Sequence, residues 1–220
     1  MSKMKETNKY YFSVEGETEL WYLEWLEKQI NGLEDSKYKV SFNVKIQNSP
    51  LKRTKAFITT SDKIVIYHVC DVESQEECHV KKFQKVLTEM KDSHKIKSAI
   101  TYKLAYSNYS FELWMVLHKN TCNGALSHRK SYLDCINSAF NVKYQFLHDY
   151  KKESNFKNIL AKIQITDVYE AINRAKTIEE NNQKNEKLLI EHKGYYYYAE
   201  NPSLSINQVI EKILNDCSLI

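Results

Sequence analysis

The run KIVIYHV at residues 63–69 is apolar on both of its faces. A strand made from it has to be covered on both sides, which is the position of a central strand in a parallel sheet. It stops at Cys70, Asp71, Val72 and Glu73. The neighbouring segments are of the kind that supplies such cover. KYYFSV at residues 9–14 reads as another buried strand, after which Gly16 serves a tight turn and Thr18 caps a helix. Leu20, Leu23, Leu26 and Ile30 then recur at helical spacing as far as Gly32. YKVSFNVKI alternates Val40, Phe42, Val44 and Ile46 on one face, as a half-exposed edge strand does. LKRTKAFITT, beside Pro50, reads as a short helix, and residues 75–92 set Val80, Phe83, Val86, Leu87 and Met90 at helical intervals. SAITYKLAYS supplies a fourth strand. This β-α-β-(α)-β-α-β order predicts an α/β fold, a mostly parallel sheet of about four strands flanked by helices with right-handed crossovers.

From Tyr109 onward the pattern turns helical, through YSFELWMVLHK, HRKSYLDCINSAF, TDVYEAINRAKTIEE and SINQVIEKILNDC. The expected organisation is an α/β core over residues 1–120 and a mainly helical C-terminal region over 121–220 packed on it. Tyr195 to Tyr198 reads either as a short strand or as aromatic packing beneath the last helix, and EENNQKNEK as a solvated helix surface or loop. No long uncharged apolar run is present, so no membrane association is expected, and the N-terminal stretch lacks the apolar core of a secretory signal; the cytoplasm is the expected location. Five cysteines without a CxxC pair argue against both a disulfide framework and a structural zinc site. Cys78 and His79 are adjacent, and adjacent residues on a helix point apart. The net charge of +4 is mild, which permits a nucleic-acid partner without announcing one.

In an open parallel sheet functional groups lie beyond the carboxyl ends of the strands, near a switch in strand order. Glu15 ends the first strand, and Asp71 and Glu73 end the central one. If those strands are neighbours, three carboxylates meet at one rim, where they repel one another unless protonated or neutralised by a cation. Oxygen ligands in this number suit Mg²⁺ or Mn²⁺.

Glu15-Gly16-Glu17-Thr18-Glu19 after a first strand, the pair Asp71-Val72-Glu73 after an apolar strand, and Ser107-Asn108-Tyr109-Ser110-Phe111-Glu112-Leu113-Trp114 with His118 closely resemble the RloB-like proteins, which carry a TOPRIM-type domain. Tyr150-Lys151, the AINRA stretch and the closing NPSLSINQVIEKIL extend the resemblance over almost the whole chain. Two positions depart from the family pattern: Glu73 stands where the acidic pair normally ends in aspartate, and Tyr109 where proline is usual. The resemblance implies a metal-dependent nuclease that cleaves nucleic-acid phosphodiesters (DNA or RNA, tRNA included) as an effector of bacterial anti-phage defence, held in check by an ATPase partner. It also implies the roles: Glu15 as acid or base, with Asp71 and Glu73 as the magnesium ligands. The competing expectation is a non-catalytic subunit that binds nucleic acid or the ATPase.

Other residues join the candidate set on their own chemistry. Glu112 lies in the apolar segment FELWMVL, where an unpartnered carboxylate is costly, so it needs the metal site or a basic group. Lys151 and Lys152, with Arg129 and Lys130, are candidates for phosphate contact or transition-state charge stabilisation. Glu17 and Glu19 read as first-turn residues favoured by the helix dipole, with Glu19 keeping a supporting claim. His118, on a face with Phe111, Trp114 and Met115, reads as a hydrogen-bonded core residue. Arg174 faces away from its helix's apolar stripe, toward solvent, RNA or a partner.

Overall fold

In the computed structural model, residues 5–122, 124–126 and 128–220 are described; the side chain of Arg129, one of the basic groups expected to meet phosphate, lies outside the described residues. Thr7–Val14 (β1), Lys39–Ile46 (β2), Ile64–Asp71 (β3) and Ile100–Asn108 (β4) run parallel. Successive strands are joined through the helices Glu17–Gly32 (α1), Pro50–Lys55 (α2) and Glu77–Ile96 (α3). Beyond β4 come Glu112–Leu117 (α4), Tyr132–Phe140 (α5), Leu147–Tyr150 (α6), Glu153–Leu160 (α7) and Ile165–Lys184 (α8). The chain closes with Leu189–His192 (β5), Tyr195–Tyr198 (β6), Ser203–Leu204 (β7) and Ile206–Asp216 (α9).

The main sheet has the order β2-β1-β3-β4-β7, with β2 at an edge and the doubly apolar β3 at the centre. The chain moves from β1 outward to β2 and then returns past β1 to β3, so the order reverses between β1 and β3. Val14 pairs with Val69 and Asp71 with Ser107, which aligns the carboxyl ends of these strands. The sheet separates two apolar clusters. One holds Phe12, Tyr22, Leu26, Val69 and Trp114 with Phe156, Val168 and Ile210; the other holds Ile64, Ile66, Phe83, Leu87, Tyr102 and Tyr197. Helices therefore cover both faces, as the composition of β3 requires.

Two details differ from the sequence reading, and a third is decided between its alternatives. Gly16 is itself the residue before α1, with φ −148°, an extended backbone open to any residue, and Thr18 lies inside the helix. The C-terminal region carries a hairpin, β5-β6, and β7 joins the main sheet antiparallel to β4. Tyr195–Tyr198 is thus a strand, and its buried Tyr197 packs on Phe83 of α3, ring centroids 4.9 Å apart, rather than beneath the last helix.

Side chains from both sides of residue 120 share one core, with Ile210, Ile213 and Leu214 of α9 fully buried in it. Replacing Ile210 by alanine should cost about 2–5 kcal/mol in urea unfolding. The transition should stay single, whereas the exposed Ile220→Ala should shift it by no more than about 0.5 kcal/mol.

Candidate active site

Glu15 follows the last residue of β1 and Asp71 is the last of β3. The backbone N–H of Asp71 donates to Oε2 of Glu15 over 3.1 Å, tying the two strand ends together. The first turn of α1 brings a third carboxylate: Glu19 is buried, and its Oε2 accepts from the Thr18 hydroxyl at 3.1 Å. Gly16 leaves space for it, since a β-carbon there would come within 3.2 Å of that same oxygen. A fourth comes from the start of α4, where Glu112 has no solvent exposure. Its Oε1 lies 3.0 Å from Nζ of Lys151, at the end of α6. That contact is an ion pair lying off the hydrogen-bond direction, and the other oxygen, Oε2, has no partner. The cleft between these elements, about 260 Å³, is lined by Glu15, Gly16, Glu17, Thr18, Glu19, Asp71 and Lys151.

Burial, and after it crowding, sets the protonation. Burial, opposed by the Asp71 N–H and by Lys82, pushes the Glu15 carboxyl up to about 7. Burial and then the charges of Glu15, Glu19 and Glu112 hold Asp71 well above the usual carboxylate range, with Lys151 pulling the other way. Glu19 is raised by burial and by Glu112. Burial alone would lower Lys151, but Glu112, Asp71 and Glu19 leave it raised, so it stays an ammonium. Four carboxylates, with Lys151 beside them and Lys82 at their edge, form a site that gains from further positive charge.

Glu73 behaves differently. Its backbone is left-handed, φ +64°, and its N–H donates to the Tyr109 carbonyl. Its carboxylate is drawn to Lys82 and lies 3.4 Å from Nε2 of His79. The oxygens of Glu15, Asp71 and Glu73 do not all lie within 4.8 Å of one another, and neither do those of Glu15, Asp71 and Glu19. Lys82 stands close enough to raise its own pKa through Glu73, Glu15 and Asp71 together, so it supplies positive charge at the edge of the cluster.

The donor chemistry suits a hard divalent ion, with oxygen ligands from Glu15 and Asp71 at adjacent strand ends, Glu19 beside them and a buried Glu112 oxygen without a hydrogen-bond partner, but no three of these carboxylates converge within 4.8 Å, so an ion would have to draw them together. Glu73 would join that set only by shifting from its present contacts. Glu19, which the sequence reading subordinated to the helix dipole, lies within the cleft; the signal that could have found it was its spacing from Gly16. Lys130 and Lys152 are exposed, and Lys152 pairs with Asp149 at 2.7 Å outside the cleft.

Two other residues are structural. His118 is buried, with Nδ1 2.9 Å from the Trp114 carbonyl and Nε2 3.1 Å from the Tyr22 hydroxyl. A carbonyl only accepts, so Nδ1 carries the proton and Nε2 accepts from Tyr22. Burial lowers its pKa to about 4. Arg174 does not reach outward as the sequence suggested: Nη1 donates to the Leu117 carbonyl at 2.7 Å, satisfying the end of α4.

A family model described as RloB-like protein matches residues 10–213. No curated protein and no solved structure matches the chain.

Because the folded pKa of Glu15 is raised from 4.5 to about 7, its contribution to stability is present below pH 4.5 and is lost as pH rises through 7. The buried His68 and His118, both lowered to about 4, act oppositely, costing stability as pH falls from 6.5 toward 4. The comparison of Glu15→Gln with wild type cancels the histidines and reads Glu15 together with its effect on Asp71. In metal-free buffer the variant should gain stability relative to wild type, on the order of 2 kcal/mol, between pH 5 and pH 8. Thermal unfolding across that range measures it.

Proposed function

The chain belongs to the RloB-like family, and from that premise we propose that it is a metal-dependent endonuclease of the TOPRIM type acting on nucleic-acid phosphodiesters. The observation that carries the reading is the charge-crowded rim at the switch in strand order, where Glu15, Glu19 and Asp71 line a cleft beside Lys151. Glu15 and Asp71, joined by Glu73 once it releases Lys82, would hold Mg²⁺ or Mn²⁺. Such an ion, when bound, polarises a phosphoryl oxygen and acidifies water.

The remaining chemistry belongs to the chain. With a pKa near neutrality, Glu15 is suited to accept or return a proton during hydrolysis. Lys151, held by Glu112 and 41% exposed, offers its ammonium to a backbone phosphate at the cleft mouth. Glu112 positions that lysine, and its full burial fixes where the charge sits. By the family resemblance, the cellular role we propose is that of an anti-phage effector restrained by an ATPase subunit.

One observation favours a second reading. The turn of Glu73 toward Lys82 and His79 leaves the expected three-carboxylate set unassembled, as it would be in a nucleic-acid-binding or ATPase-binding subunit without catalysis.

Incubation with labelled single- and double-stranded DNA, tRNA and other RNA, with and without Mn²⁺, separates the two. The nuclease reading expects cleavage of at least one substrate only with the ion. Glu15→Gln and Asp71→Asn should each lower the rate 100-fold or more, and Lys151→Met roughly 10- to 100-fold. Retention of nucleic acid without cleavage supports the binding subunit, and an Asp71→Asn protein that cuts as well as wild type overturns the site.

A further inference from the structure

Away from the carboxylate cleft, the beginning of α3 carries another set of ligand-type side chains. Glu76 is the residue preceding the helix, and Cys78 and His79 lie in its first turn. A carboxylate oxygen of Glu76, the sulfur of Cys78 and a ring nitrogen of His79 all lie within 4.8 Å of one another, the one such three-residue group among the described residues. Sγ of Cys78 is 3.9 Å from Oε2 of Glu76. Adjacent helical residues do diverge, which is why sequence alone expects nothing of Cys78 and His79. The convergence depends on Glu76, whose extended backbone at φ −62° and ψ 138° lies outside the helix, so that its side chain can fold back over the first turn.

We propose that Glu76, Cys78 and His79 bind a borderline divalent transition ion of the Zn²⁺ class, at a site separate from the carboxylate cleft. The donor set selects the ion. Thiolate and imidazole favour Zn²⁺ or Co²⁺, whereas the oxygen-only cleft suits Mg²⁺ or Mn²⁺. Ligand atoms around a tetrahedral ion of this class stand roughly 3.3–3.8 Å apart, given bond lengths of about 2.0–2.3 Å, so the trio needs to close by about an ångström. Glu76 and Cys78 are exposed and free to adjust in rotamer. His79 is oriented by the Ser74 hydroxyl, 2.7 Å from its Nδ1, and by Glu73, 3.4 Å from its Nε2, and an ion would take one ring nitrogen by displacing one of these two contacts. Three protein ligands leave the fourth position to water, and binding sends the thiol proton to solvent. Cys78 is the exposed cysteine of the chain; Cys70, Cys122 and Cys217 are buried and Cys135 is half-buried. This site does not depend on the nuclease reading.

Titration of the full chain with Co²⁺ tests it through absorption. The proposal expects one thiolate-bound ion per chain, read from a thiolate-to-cobalt charge-transfer band in the near ultraviolet that Zn²⁺ abolishes by displacement. Cys78→Ser should lose the band, and Glu76→Gln and His79→Ala should each weaken binding 10-fold or more. Asp71→Asn should leave the band unchanged, which distinguishes this site from the cleft. Because Glu76 and Cys78 are on the surface, those two variants should keep the wild-type far-ultraviolet circular dichroism and so read the site directly. The proposal is overturned by absence of the band at stoichiometric Co²⁺. It is equally overturned if Glu76→Gln binds as tightly as wild type, which is the behaviour of a lone thiol.

Discussion

The hydrogen bond from the Asp71 N–H to the Glu15 carboxylate is where fold and chemistry meet. It exists because β1 and β3 are parallel neighbours ending at the same level, and that pairing exists because β3 is apolar on both faces and has to lie inside the sheet. Once the strand ends are aligned, α1 and α4 necessarily begin there, and Glu19 and Glu112 enter the same region. The resulting excess of negative charge is an unfavourable arrangement for a folded protein on its own. Carboxyl pKa values raised first by burial and then by neighbouring charge go with it, and such groups gathered in a cleft point to a functional site.

The C-terminal region completes the site from behind. Lys151 arrives on the turn after α6, and Tyr150 beside it is buried against Phe156, which fixes where that turn sits. The Tyr132 hydroxyl donates to the Asn108 carbonyl at 3.1 Å, and the Asn108 side chain donates to the carbonyls of Tyr198 and Ala199. The end of β4, from which Glu112 follows, is therefore held by elements distant in sequence. Disturbing that packing acts on the lysine and the glutamate together.

Most of the α/β frame was legible because periodicity reports burial directly: the alternating β2 at the edge, the doubly apolar β3 at the centre, and α1 and α3 at their helical spacing. What escaped had no periodic signal. β7 is two residues long and shows no alternation, and Tyr195–Tyr198, uniform in residue type, could be read as a strand only as one of two alternatives. Glu15, Asp71, Glu73 and Glu112 could be singled out from strand ends and the cost of burial, and Lys151 as a basic group fit for phosphate, which the resemblance at Tyr150-Lys151 reinforced. The ion pair between Glu112 and Lys151 was not legible, since it joins residues whose proximity only tertiary packing creates. The same is true of the left-handed turn at Glu73, which carries its carboxylate to Lys82 and His79, and of Arg174, whose outward position on the helix wheel conceals a carbonyl of α4.

The central claim is that the Glu15–Asp71 rim is a divalent-cation site whose carboxyls hold protons until the ion arrives. Calorimetric titration of Mg²⁺ into the protein at pH 7, repeated in two buffers of different ionisation enthalpy, counts the protons released on binding. With Glu15 near its midpoint and Asp71 raised, the account expects saturable binding of Mg²⁺ with release of about half a proton or more per chain. Mg²⁺ binding without proton release, or no binding, would contradict it.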